Sequence, residues 1–243
     1  MSDSIKKSAS NECEKLFPSG EQLAKINEVR KLLGPLSDRS SIYCSDASIS
    51  RYLTARNWNV KKATKMLKET LKWRAEYKPE EIRWNEIAHE AETGKIYRSN
   101  YVDKYGRTVL VMRPACQNSK STKGQIRYLV YCMENAISNL PPDQEQMVWL
   151  IDFQGFNLSH ISVKLVKPFL EAKTQNKVKF VYSDDPNSKK IVEELFDMDK
   201  LESAFGGNDN SGFNINKYAE RMREDDKRMP SFWTKEKEKE IPP

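Results

Sequence analysis

His89 and His160 are the only imidazoles in this 243-residue chain, and neither has a neighbour at the spacing of a metal pair or a catalytic triad. The four cysteines, Cys13, Cys44, Cys116 and Cys132, lie far apart with no C-x-x-C pair, so no thiolate metal site is expected. Asp152 closes the apolar run MVWLID, where an α/β protein can place a functional acid and where an acid can equally cap the next loop. Gly206-Gly207 can cradle a phosphate or end a short helix. A G-x-S-x-G elbow, a Walker loop and a strand-borne G-x-G-x-x-G are all absent. These parts do not assemble a reaction, so the expectation is a protein that is not an enzyme and uses no cofactor or metal.

The remaining chemistry is charge. Lysine and arginine number 41 against 35 acids, a net +6 that favours anionic partners. Lys61, Lys65, Lys68 and Lys72 fall within one narrow sector of a helix at 100° per residue, opposite Val60, Ala63, Leu67 and Leu71. Such a stripe is a solvated face or a surface for phosphates; no nucleic-acid motif accompanies it. The longest apolar runs, Val109 to Met112 and Met147 to Ile151, are far short of the roughly 20 residues a bilayer span needs. The polar beginning of the chain lacks the apolar stretch of a secretory signal, and well-separated cysteines suit a reducing compartment, so the cytoplasm is the expected location.

Two kinds of periodicity position these residues. Helical spacing runs through Leu23, Ile26, Val29 and Leu33 until Gly34-Pro35, through a helix capped by Ser45 or Asp46, and through Val60 to Tyr77. Residues 21–92 therefore read as a small helical domain after a disordered tail at 1–20. Past Gly94 the period becomes two: Lys95 to Val102 and Arg107 to Arg113, joined by DKYG, predict an antiparallel hairpin. Ile126, Leu129, Val130, Met133, Ala136, Ile137 and Leu140 mark a long amphipathic helix, ended by Pro141-Pro142. MVWLID and KVKFVYS, residues 147–152 and 177–183, read as two parallel strands joined by a helical segment. The second domain, 93–233, is thus α/β with a mixed sheet, and 234–243 is a charged tail.

In this order the blocks SISRYLTARNWNVKKATKMLKETLKWR, GKIYRSNYVDKYGRTVLVMRP, VWLIDFQGF, KPFLEAKTQNKVKFVYS and LESAFGGND resemble the CRAL-TRIO lipid-binding family with its N-terminal helical domain, over about residues 40 to 233. The likeness is to the phosphatidylinositol/phosphatidylcholine transfer proteins of that family, in particular their short plant-type members. It implies a sheet that floors an apolar pocket for the acyl chains of one phospholipid, with a mobile gate helix over it. Each sheltered methylene is worth about 0.8 kcal/mol, enough in sum to draw a lipid from a bilayer. The ligand expected from the resemblance is phosphatidylinositol or phosphatidylcholine, and the partner an anionic membrane, contacted transiently through Lys61, Lys65, Lys68 and Lys72.

The resemblance also carries head-group residues onto this chain: Arg56 in YLTARNW, and Thr174 and Lys177 in AKTQNKVKF. Arginine and lysine with a hydroxyl suit a phosphate ester through charge-assisted hydrogen bonds. A domain-bridging ion pair for Arg56 and a solvated strand start for Lys177 are the competing roles. The family's fourth residue, a glutamate in Y-P-E-R, has no counterpart. The chain passes from Leu165 or Val166 straight to Lys167-Pro168-Phe169-Leu170, leaving Pro168 inside a helical segment that it would break. About one βα unit, of the order of 25 residues, is missing at this seam, gate included. Lipid transfer is then expected to be impaired, and a protein-interaction or regulatory role is the alternative.

Overall fold

The computed structural model describes residues 19–141, 144–156, 177–182 and 185–229. They divide into two compact units, one made by the described residues up to Lys78 and one running from Pro79 to Met229. Residues 1–18 and 234–243 of the expected tails, the seam at 165–167 and Pro168 lie outside the described residues; Ser19 and Gly20, expected in the disordered tail, instead open the first helix.

In the first unit serine and asparagine caps set the helix starts. Helix α1 (Gly20–Leu33) opens on a capping box in which the Ser19 hydroxyl accepts from the Gln22 N–H at 3.3 Å and the Gln22 side chain accepts from the Ser19 N–H at 2.9 Å. Ser37, Ser45 and Asn59 cap α2 (Asp38–Tyr43), α3 (Asp46–Ala55) and α4 (Val60–Tyr77) in the same sense. Ile26, Val29, Ile49, Leu53, Ala63 and Leu67 are fully buried between these helices, as their spacing predicts. The short α2 has no periodic signature of its own and is an addition to the sequence reading.

The second unit is built on a three-stranded sheet. Strands β1 (Ile96–Val102) and β2 (Thr108–Met112) pair antiparallel, and β3 (Met147–Ile151) lies parallel to β2, giving the order β1-β2-β3 and a mixed sheet. The hairpin turn is organised by Asp103, whose carboxylate accepts from the N–H groups of Tyr105 at 3.0 Å and Arg107 at 2.8 Å. Around the sheet stand α5 (Trp84–Ala91), α6 (Thr122–Ser138), α7 (Pro186–Leu195) and α8 (Ile215–Arg228). The fold class is α/β with a helical region before it.

Two expectations change. Helix α5, which the helical period assigned to residues 21–92, belongs to the second unit. Its buried Trp84 meets Tyr131 of α6 and Tyr218 of α8 at ring distances of 6.5 and 5.6 Å, and its N–H donates to Asp226 at 2.6 Å. The second correction concerns the strand expected at 177–183: residues 177–182 form no strand, and Val178, Val181 and Tyr182 are exposed. A β-prone run becomes a strand only when a neighbour takes up its backbone groups, and no strand is paired with it among the described residues.

Candidate functional site

The two edges of the sheet differ in how their backbone groups are treated. On β1 the Arg98 N–H donates to the Tyr218 hydroxyl at 3.4 Å, while the Arg221 guanidinium donates to the carbonyls of Arg98 and, at 3.0 Å, Ser99. A bulge between Arg98 and Val102 bends the same strand. Helix α8 thus closes that edge with side chains. Its position is fixed by the buried Asp225, which accepts from Arg98 at 2.6 Å and Asn135 at 2.8 Å and pairs with Arg228. The outer edge of β3 has no paired strand among the described residues.

Beside that edge lies apolar surface. Leu110 stands opposite Arg98 on one side and Trp149 on the other, and Arg98 reaches Asn135 of α6 at 2.7 Å. Helix α6 therefore lies on the sheet face that carries Leu110 and Trp149, and by period two also Ile151. Leu110 is fully buried there, whereas Trp149 is 48% and Ile151 42% exposed. The chain continues past β3 into Phe153 and Phe156, whose exposed rings lie 6.3 Å apart.

Helix α6 leaves a second apolar face open, because its orientation is the reverse of what its apolar stripe suggests. Its apolar stripe, expected to face the core, leaves Ile126 and Ile137 half exposed and Leu129, Val130 and Met133 partly covered. The buried side is Tyr128, Tyr131, Cys132, Asn135 and Ala136. Hydrogen bonds make that burial affordable: Tyr128 donates to the Ile96 carbonyl, Tyr131 to Asp226 at 3.0 Å and Asn135 to Asp225. Burial also lifts the Tyr128 and Tyr131 hydroxyls above their ordinary range and pushes the Cys132 thiol up to about 12, keeping all three neutral.

Two buried carboxyls near the sheet respond to their surroundings in opposite directions. Burial alone would raise Glu90, yet the ammonium of Lys95 and the Ser119 hydroxyl hold it below the ordinary carboxylate range. For Glu202 burial prevails and the carboxyl is raised, although Tyr97 donates to it at 2.8 Å and Arg113 stands at 3.4 Å. Each is tied to structural partners.

Asp152, Gly206 and Gly207 take structural roles. Asp152 accepts from the Gln154 N–H at 2.8 Å, the loop-capping role. Gly206, at φ 86°, ends the 3-10 turn Ser203–Phe205, and a Cβ on Gly207 would stand 2.0 Å from the Leu201 carbonyl oxygen. His89 is exposed beside Glu92 at 3.3 Å, and His160 lies outside the described residues. Among the described residues no cluster of His, Cys, Asp and Glu could hold a metal, and no helix is long and apolar enough to cross a membrane.

The residues carried over for head-group binding do not fall in one unit: Arg56 belongs to the first and Lys177 to the second. Arg56 is the exposed C-cap of α3, just before the left-handed Asn57 and Trp58, and its guanidinium reaches the Ala55 carbonyl at 3.5 Å. Lys177 is an exposed residue of the second unit. Thr174 lies outside the described residues. Lys61, Lys65, Lys68 and Lys72 are all exposed on α4, with Lys72 4.0 Å from Glu76. Trp149, Ile151 and the outer face of α6 were missed as site residues, because a continuous run such as MVWLI signals burial on both faces.

Residues 12–69 match the family model of the CRAL/TRIO N-terminal domain and residues 91–163 that of the CRAL/TRIO domain. The chain is 30% identical over 218 residues to the CRAL-TRIO domain-containing protein C23B6.04c of Schizosaccharomyces pombe, covering 75% of this chain and 21% of that protein. It is 33% identical over 129 residues to the phosphatidylinositol transfer protein PDR17 of Saccharomyces cerevisiae, covering 50% of this chain and 37% of that protein. With the Drosophila melanogaster protein real-time it shares 25% identity over 158 residues, 58% of this chain and 23% of that protein. The aligned parts thus span between a fifth and two fifths of these relatives' own lengths.

Proposed function

The chain belongs to the CRAL/TRIO family, and from that premise we propose that it binds one phospholipid without chemical turnover, sheltering the acyl chains against the apolar face of Trp149, Ile151 and the outer side of α6. The observation that carries this reading is the half-exposure of a tryptophan and an isoleucine on a sheet face whose neighbouring Leu110 is fully buried. A soluble protein rarely leaves such a patch unless something apolar occupies it. Phosphatidylinositol and phosphatidylcholine are the proposed ligands; PDR17, a phosphatidylinositol transfer protein by name, supports the first. Arg56, Thr174 and Lys177 are proposed to meet the head group, and Lys61, Lys65, Lys68 and Lys72 an anionic membrane that a cytoplasmic protein visits transiently.

Transfer between membranes is proposed to be weak because the gate is missing. Two observations support this. The CRAL/TRIO match stops at residue 163, just before the seam at Leu165 to Lys167. The alignment with the S. pombe protein runs over 218 residues yet covers 75% of this chain, about 182 residues, so about 36 aligned positions have no residue here. Lipids extracted from the purified protein and identified by mass spectrometry, together with transfer between liposomes, test the reading. Substoichiometric phospholipid and transfer well below that of PDR17 are expected. Absence of any bound lipid would overturn the binding; transfer equal to PDR17 would overturn the impairment.

A further inference from the structure

The open edge of β3 matches itself. The Asp152 N–H donates to the Met112 carbonyl at 2.8 Å, so in the parallel ladder the backbone groups of Val148, Leu150 and Asp152 point towards β2. Those of Met147, Trp149 and Ile151 then point away from the sheet, with no strand to receive them among the described residues. Trp149 is the central residue of the strand. A two-fold axis through it sets a second β3 antiparallel, with Trp149 opposite its own copy and Met147 opposite Ile151. In that register the outward residues are the hydrogen-bonded ones, each exchanging both backbone bonds with the residue it faces. All the side chains that meet are apolar, and just outside the strand Gln146 faces Asp152, so no two like charges oppose each other.

The devices that keep sheet edges from pairing are absent from β3. It contains no charge and no proline, and its register with β2 is unbroken from Met147 to Ile151. From this self-matching register we propose that two copies of the protein join through β3, as an antiparallel pair centred on Trp149 that runs one continuous sheet through both chains. Such an isologous contact closes on itself and stops at a dimer.

Sedimentation of the full chain, stripped of lipid so that the outcome is separate from lipid binding, tests the proposal. The wild type is expected to move from monomer to dimer as its concentration rises. Trp149→Lys sets two ammonium groups face to face on the axis and is expected to weaken dimerisation by about tenfold or more. Trp149→Cys keeps the test independent of that variant's folding. The paired Cα atoms would lie about 5.5 Å apart, within disulfide range, so mild oxidation is expected to join the two copies at position 149, identified by peptide mapping. A wild type that stays monomeric throughout, a dimer indifferent to Trp149→Lys, or oxidation that joins the copies only through native cysteines would overturn it.

Discussion

One edge of the sheet is finished by the chain itself and the other is not. At β1, a tyrosine hydroxyl and an arginine take up the Arg98 N–H and the carbonyls of Arg98 and Ser99, the register shifts along the strand, and α8 is locked over them through Asp225. At β3, the same kind of backbone edge is flanked by a half-exposed tryptophan and isoleucine and meets no strand among the described residues. The difference separates what holds the fold from what is left for something else to cover. Polar atoms at β1 are committed to stability; apolar area at β3 is available for a ligand or a second copy.

The contrast is broken most severely at its closed side. Asp225→Ala strands Arg98 and Asn135 in the interior, and removing one partner of a buried ion pair costs about 3–5 kcal/mol; urea unfolding should show a loss of that size. Arg221→Ala uncovers the carbonyls of Arg98 and Ser99, and at about 1.5–3 kcal/mol for a hydrogen bond to a charged donor it should cost somewhat less by the same measurement. Trp149→Lys, on the open side, should shift the unfolding midpoint only slightly, within about 1 kcal/mol, because a half-exposed edge tolerates charge.

A smaller effect sharpens the comparison through pH. The Glu90 carboxyl is held low, so its contribution to stability is present above the ordinary glutamate pKa and fades as pH falls through its depressed value. The Glu202 carboxyl is raised, so its contribution is complete below the ordinary pKa and is lost as pH rises through its elevated value. Glu90→Gln should therefore destabilise at neutral pH and approach the wild type in acid. Glu202→Gln should flatten the loss of stability that the wild type shows as pH rises above the ordinary glutamate range. Chemical denaturation across a pH series checks both signs.

Much of this was legible in the sequence because it rests on period and punctuation. The hairpin, the strand at β3 and helix α4 follow from alternation with a Gly-bearing turn, a continuous apolar run and an i, i+3, i+4 stripe, whereas the parallel partner of β3 is β2 and not the expected run at 177–183. The orientation of α6 was not. Its isoleucines and leucines mark the more apolar side, but Tyr128, Tyr131 and Asn135 can be buried once Ile96, Asp226 and Asp225 accept their protons, and those partners come from other elements. The failed strand at 177–182 has a related cause, since a strand depends on a neighbour that no local pattern records. The open face followed from neither signal, as MVWLI looks the same whether its outer side is covered or bare.

Titration of the lipid-stripped protein with phosphatidylcholine or phosphatidylinositol carrying a fluorescence-quenching group on the acyl chain addresses the apolar face directly. Trp149 is one of five tryptophans, so its signal is the difference between the wild type and Trp149→Phe. Saturable quenching that is largely lost in Trp149→Phe is the predicted result. Quenching that is equal in the two proteins, or no saturable quenching at all, would contradict an acyl chain lying against β3.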